Sequence, residues 1–478
     1  MHLRVCVKIV ASLAGLMGLF LLLPLLLALL FDEPTRPFWG AMLVAFLITG
    51  LGLLIGRGAH STLSTRDGFL IVTTGWLVAS GIAALPYVFS GWVGPVDAWF
   101  ESVSGITTTG STILTDIEAL ERSLLTWRSF TQWIGGMGII LFTIAILPLL
   151  GVGGMQLFKA EVPGPVADKI SPRLAVTARF LWGIYVGLTG LEWLLLGLGG
   201  MPILEALDHA FTTLATGGFS PKNASIAAYD SHYLRYVIIV FMFLAGMNFC
   251  LHFKLVFGRF REVYEDEELR WYLGLATLFV IPTLIGLLLH GAPFSKALED
   301  ALFTVASLMT TTGYATANYE AWPLALKGAL ILLLVVGGMA GSTGGGVKTM
   351  RTLLSFRALR ASFRRMEHPH AVRPVIYKHR PVPADTLAAI WGFFASYMLL
   401  AGMGMIILNW HGHDLVTSWS ASLTALGNVG PGLADVGPTD NFAWMYPQNK
   451  LFLSFLMLCG RLEIYTVLLL FVPSFWRR

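Results

Sequence analysis

Thr311-Thr312-Gly313-Tyr314 is one of four short segments that align on a single glycine. The others are Thr108-Thr109-Gly110-Ser111, Thr216-Gly217-Gly218-Phe219 and Asn428-Val429-Gly430-Pro431. They recur roughly every hundred residues, each between long apolar stretches, which is the spacing of an internal structural repeat. One polypeptide with that period can bring four similar backbone loops around a common axis within a membrane. Such a ring suits the coordination of a dehydrated cation.

Over half of the 478 residues are apolar and only 13% are charged. Hydrophobic runs long enough to cross a bilayer recur from end to end, so the chain reads as an all-α polytopic membrane protein. A span takes about twenty residues, which leaves room for about ten spans plus several shorter re-entrant pieces, and for no sizeable soluble domain. The net charge of +4 is small, and the basic residues lie mostly on alternate connecting loops, so charge reports orientation rather than nucleic-acid binding. Cys6, Cys250 and Cys459 are far apart in sequence and make no metal or redox spacing. No paired carboxylates, histidine cluster or nucleophile constellation lies in the spans, so neither an enzyme nor an organic cofactor is expected.

Arg4 and Lys8 precede an apolar run from about residue 9 to residue 31. It is too long for a signal core and lacks small residues before Asp32, so it reads as a retained span. A second span follows the turn at residues 32–37, and these two helices occupy residues 1–60. Four repeats then cover residues 67–155, 173–260, 269–365 and 384–478, each read as outer helix, short helix, glycine loop and return helix. The short helices are expected at residues 96–103, 202–213, 293–309 and 415–426. The returns are expected at residues 127–150, from Tyr233 onward, at residues 322–365 as a long interrupted segment, and at residues 450–472.

Loop charge gives an independent topology. With the amino terminus inside, Arg57, Arg66, Lys159, Lys169, Arg173, Lys254, Arg259, Arg261, Arg477 and Arg478 all fall inside, as does a basic loop over residues 366–383. Asp97, Glu101, Asp116, Glu118, Asp208, Glu299, Asp300, Glu320, Asp414, Asp435 and Asp440 fall outside, either as solvated surface or as a weak concentrator of cations at a mouth. Both termini are then cytoplasmic.

Glycine at the four aligned positions has a physical reason. Replacing a hydration shell with backbone carbonyls needs a tight strand with positive φ and close backbone approach, which glycine permits without steric cost. Thr108, Thr109, Thr216, Thr311 and Thr312 are placed to brace or line those strands. A short helix with its carboxyl end aimed at the ion path would add favourable partial charge. A single Thr-x-Gly is an ordinary turn, whereas four in register, each after a short amphipathic piece and before a span, are a repeat.

The segments Ser104-Gly-Ile-Thr-Thr-Thr-Gly-Ser-Thr112, Ala215-Thr-Gly-Gly-Phe-Ser220, Met309-Thr-Thr-Thr-Gly-Tyr314 and Ala425-Leu-Gly-Asn-Val-Gly-Pro-Gly432 resemble the four pore loops of the Trk/Ktr/HKT potassium-transporter superfamily. The two additional amino-terminal helices resemble its bacterial TrkH-type subunit. The resemblance covers nearly the whole chain and implies a pseudo-fourfold pore for potassium in the bacterial inner membrane, a homodimer, and regulation by a cytoplasmic nucleotide-binding ring of TrkA type. It implies potassium ligation along Thr108, Thr109, Gly110, Thr216, Gly217, Gly218, Thr311, Thr312, Gly313, Asn428, Val429 and Gly430. Related plant transporters that favour sodium carry serine at the first filter glycine, where this chain has Gly110. The same loops would also supply a midplane site to a proton- or sodium-coupled symporter working by alternating access.

Two further features lie on the implied path. Six glycines fall within ten residues at Gly337, Gly338, Gly341, Gly344, Gly345 and Gly346, interleaved with Ser342 and Thr343. At about 1 kcal/mol each relative to alanine they oppose an α-helix. Broken backbone at membrane depth belongs in protein or beside a watery cavity, so this loop is expected to cross the pore below the filter, where the resemblance assigns a gate. The stretch is no nucleotide loop, since it ends Gly-Val-Lys-Thr with no strand before it. Arg461, read as near the middle of the last span, costs about 2.5 to 3.5 kcal/mol if it faces lipid, so it should face the interior. The resemblance sets such an arginine beside the gate. Lys348 either belongs to this gate or snorkels to the interface. Trp39, Trp92, Trp99 and Trp127 are expected in interfacial belts.

Overall fold

A computed structural model describes residues 1–59, 63–138, 174–368, 374–378 and 380–477. Part of the expected first return, part of the basic loop over residues 366–383, and Lys159, Lys169, Arg173 and Arg478 lie outside the described residues. Among the described residues six helices are long and apolar enough to cross a membrane, or eight if two sharply bent pairs each count as one. The amino-terminal pair is Leu3–Leu30 and Arg36–Ile55. Its start is tied to the first repeat where Asp67, in the capping box of the third span, accepts from the His2 backbone at 2.9 Å.

The fourfold pattern is present in the fold. The outer helices are Thr65–Ser90, Leu174–Leu198, Glu267–Leu289 and Ala384–Trp410. The short helices are Pro95–Ile106, Ile203–Leu214, Phe294–Met309 and Leu415–Gly427. They start at or beside proline in three repeats and at the Asp414 cap in the fourth, both of which suit a helix amino terminus. The basic loop contains a two-residue hairpin, Ile376–Tyr377 against Arg380–Pro381, which sequence reading did not expect.

The return helices differ from expectation. Only the third was expected to be interrupted, yet Arg122–Gly136, His232–Ala245, Leu324–Val336 and Pro447–Arg461 each stop after 13 to 15 residues. The second and fourth then bend by 105° and 113°. Glycines stand in the last turn of the first and fourth of these helices and just beyond the second, where a Cβ would run into the carboxyl end of a short helix. At Gly135 it would meet the Ile106 carbonyl, at Gly246 the Tyr272 hydroxyl and then the Thr310 side chain, and at Gly460 the Leu426 carbonyl. Arg461 therefore sits at a break rather than within a continuous span, and the same break turns Glu463 and Ile464 to positive φ.

Several surface assignments are corrected. Glu101, Asp208, Glu299 and Asp300 are buried. Glu101 pairs with Arg128 at 2.7 Å and Glu299 with Arg235 at 2.7 Å, so a basic side chain inside the fold has drawn each carboxylate in from the surface. Trp127 is also buried, donating to the Ala83 carbonyl at 3.1 Å, while Trp39 and Trp92 stay exposed.

Candidate ion pathway

Each short helix runs carboxyl end first into its glycine strand, so the negative ends of four helix dipoles converge on the same region. The turn out of each helix is the same. Thr108, Thr216, Thr311 and Asn428 take left-handed backbone, with φ between 53° and 63°. The next amide reaches back to the helix: Thr109 to Ser104, Gly217 to Thr212 and Thr312 to Ser307 at 2.8 Å each, and Val429 to Thr424 at 3.0 Å. This is a Schellman closure. Glycine usually fills the left-handed position, and threonine there costs on the order of 1 kcal/mol or more. Gly110, Gly218, Gly313 and Gly430 follow two residues later, again with positive φ, as expected.

The strands form a closed ring. A Cβ on Gly110 would collide with the carbonyl of Gly217, one on Gly218 with that of Thr312, one on Gly313 with that of Val429, and one on Gly430 would stand 2.7 Å from that of Thr109. Each glycine thus abuts the residue before the glycine in the next repeat, and the fourth returns to the first. All four glycines also line one open cavity, together with Ser111, Lys222, Asn223, Pro431 and Asp440.

Side chains brace the ring from behind. Thr107 pairs its hydroxyl with Thr109 at 2.8 Å, and Thr310 with Thr312 at 2.7 Å. The Asn428 amide donates to Thr109 Oγ1 and to the Met457 carbonyl, both at 2.9 Å. Arg128, buried on the first return helix, holds Glu101, donates to the Ser220 carbonyl at 2.9 Å and lies 3.5 Å from the Phe219 ring centroid. Glu101 also accepts from Thr112 Oγ1 and from the Ile113 amide at 2.9 Å. One ion pair therefore joins the segments that follow the first and second glycines. Sequence reading named neither Arg128 nor this role for Glu101; a polar residue recurring on the inner face of an apolar return helix is the signal that was there.

The glycine-rich loop lies directly behind the ring. It spans residues 337–348, between Leu324–Val336 and Thr349–Glu367. Thr343 Oγ1 donates to the Leu214 carbonyl at 2.9 Å and to that of Ala245 at 3.1 Å. The Gly345 amide donates to Thr311 Oγ1 at 2.7 Å, and the Gly346 amide to the Gly427 carbonyl at 2.9 Å. The loop thus contacts the carboxyl ends of the second, third and fourth short helices. A Cβ on Gly345 would strike the Gly427 carbonyl, and one on Gly344 would come within 2.9 Å of the Thr310 carbonyl.

Arg461 completes the layer from the opposite side, donating to the Thr343 carbonyl at 2.6 Å and to those of Gly135 and Gly136 at 2.6 and 2.8 Å. Loop, fourth return helix and first return helix are joined through one guanidinium. Glu463 meets Arg351 at 2.6 Å, so the third and fourth returns are linked a second time. Lys348 turns back to the Gly344 carbonyl instead of snorkelling outward.

Comparison with known proteins gives one consistent result. The family model described as TrkH, cation transport protein, matches residues 38–478. The potassium uptake protein TrkH of the Trk system from Salmonella typhimurium is 42% identical over 487 residues, with each chain fully covered, and that from Escherichia coli K12 is 42% identical over 488 residues. The crystal structure of the potassium transporter TrkH from Vibrio parahaemolyticus superposes with a TM-score of 0.88 over 100% of both chains at 35% identity.

Proposed function

We propose that this chain, which belongs to the TrkH family of cation transport proteins and carries potassium across the membrane, does so through the ring of Gly110, Gly218, Gly313 and Gly430. Backbone carbonyls of the four strands, from Thr108 to Gly110, Thr216 to Gly218, Thr311 to Gly313 and Asn428 to Gly430, take the place of the ion's water. Residues 337–348 and Arg461 close the path beneath them. The observation that carries this reading is the closed succession of glycine-to-carbonyl approaches through four repeats. A loop packed against three helix ends and held by the Arg461 guanidinium obstructs the route of a cation below the ring. A positive charge at that level also raises the barrier to entry.

The basic connections set both termini and the hairpin in the cytoplasm, with the cavity of Asp440 and Asn223 facing outward. The cytoplasmic face then suits a nucleotide-binding ring of TrkA type that releases the loop, and two copies of the chain form the working unit.

Reconstituted protein tests this in liposomes holding a potassium gradient and equal pH on both sides. The expected result is potassium uptake that follows the imposed voltage, with a potassium-to-sodium ratio that Gly313→Ser lowers. Uptake that requires an imposed proton or sodium gradient would replace conduction with coupled symport. An unaltered ratio in Gly313→Ser would remove the filter.

A further inference from the structure

The residue before each aligned glycine is Thr109, Gly217, Thr312 or Val429. In the first and third strands that threonine pairs its hydroxyl with the threonine at the helix end, Thr107 or Thr310. The second strand has Ala215 and Gly217 at those two places, so neither hydroxyl exists.

Gln132 occupies the space instead. It is fully buried on the first return helix, its Nε2 donates to the Gly217 carbonyl at 2.7 Å, and its Oε1 accepts from the Phe219 amide at 3.0 Å. The partners fix the orientation, because a flipped amide would set donor against donor and acceptor against acceptor. A Cβ on Gly217 would overlap this carboxamide. Gly217 is absent from the left-handed glycines, so its backbone does not demand glycine. Its lack of a side chain answers to Gln132. The Gly217 carbonyl is also the atom against which Gly110 packs, which makes Gln132 the support for the junction between the first and second strands.

We infer that Gln132 is a specificity-determining positioning residue: its carboxamide replaces the side chain missing from the second strand and fixes the Gly217 carbonyl, so that discrimination between potassium and sodium depends on it. This rests on reading the four strands as the filter. A misplaced carbonyl ring grips the smaller ion as readily as the larger, so the loss appears in the ratio of the two ions.

The test measures the potassium-to-sodium ratio of full-length protein in liposomes for Gln132→Met, which keeps the volume and removes both bonds. A second variant combines Gln132→Ala, Ala215→Thr and Gly217→Thr, and gives the second strand the Thr-Thr-Thr-Gly of the first and third. The ratio is expected to fall by about fivefold or more in Gln132→Met, the scale of one or two hydrogen bonds, and to return to within about twofold in the combined variant. An unaltered ratio in Gln132→Met overturns the inference, and so does a combined variant no more selective than Gln132→Met. If Gln132→Met gives no monodisperse protein, the combined variant decides alone: near-normal selectivity supports the role and lost selectivity refutes it. Gly313→Ser in the same assay separates the two readings. If it shifts the ratio and Gln132→Met does not, only the role of Gln132 falls; if it shifts nothing, the filter itself falls.

Discussion

The guanidinium of Arg461 meets the carbonyl of Thr343 at 2.6 Å, from the broken end of the fourth return helix to the middle of the glycine loop in the third. Planar, five-donor geometry lets the same group reach Gly135 and Gly136 on the first return helix. An ammonium cannot reproduce that fork. A hydrogen bond to a charged group is worth about 1.5 to 3 kcal/mol, so Arg461→Ala should raise basal potassium flux in liposomes by about tenfold or more. Arg461→Lys should fall between it and the parent. A lowered or unchanged rate in Arg461→Ala would remove this residue from the barrier.

Gly345 offers a test of space alone. Its φ is outside the left-handed region, yet a Cβ there would strike the Gly427 carbonyl. Gly345→Ala should lift the loop from the fourth short helix and raise basal flux severalfold. Gly187, within Leu174–Leu198, has nothing near its absent side chain. Gly187→Ala should therefore leave flux unchanged, with a helix-propensity gain of up to about 1 kcal/mol. Equal behaviour of the two variants in a flux assay and thermal melt would contradict the packing described.

The pair of Arg128 and Glu101 should show a large coupling energy. Removing one partner of a buried pair strands the other charge at a cost of about 3 to 5 kcal/mol. Arg128→Met should accordingly melt far earlier than the parent. Arg128→Met with Glu101→Gln should recover much of the loss, because glutamine is neutral and its carbonyl still accepts from the Ile113 amide. Additive losses in thermal melts of the detergent-solubilised protein would mean that the two side chains act independently.

The repeats were legible because each carries a glycine in a fixed frame between apolar runs, and only backbone geometry explains a glycine at Gly110, Gly218, Gly313 and Gly430 together. The broken third return was legible for the same reason, since six glycines resist a helix outright. The breaks after Ala245 and Arg461 were not. Gly246 and Gly460 are single glycines in strongly apolar sequence, and hydropathy continues through a bend without change. The left-handed threonines were also hidden, because threonine ordinarily argues against that conformation and the surrounding ring imposes it. The braces were invisible for a third reason. Gln132 has its partners, and Arg128 its contacts to Phe219 and Ser220, in the next repeat, and no local spacing encodes a contact that exists only once two repeats pack side by side.

Glu268 gives the last prediction, on how the cytoplasmic face reaches the loop. It is buried in the first turn of Glu267–Leu289, where one oxygen accepts from the Ala340 amide at 2.7 Å and from Thr349 Oγ1 at 3.0 Å, one residue within the loop and one just past its end. Its other oxygen lies 3.4 Å from the Tyr377 hydroxyl on the hairpin. The flanking acids bind the same region: Asp266 meets Lys378 at 3.3 Å, and Glu267 meets Arg357 at 2.6 Å, whose guanidinium also holds the Ile376 carbonyl. Three consecutive carboxylates thus connect the hairpin, the helix Thr349–Glu367 and the loop, so a displacement of the hairpin pulls on the group that anchors Ala340. Glu268→Gln keeps an acceptor for Ala340 and should stay near the parent rate. Glu268→Ala leaves that amide unpaired at about 1 to 3 kcal/mol and should raise basal flux by about fivefold or more, while Tyr377→Phe loses the long contact to Glu268 and should change it least. If Glu268→Ala instead reduces flux in protein that melts normally, the carboxylate holds the loop in its conducting position, and the direction of this coupling is reversed.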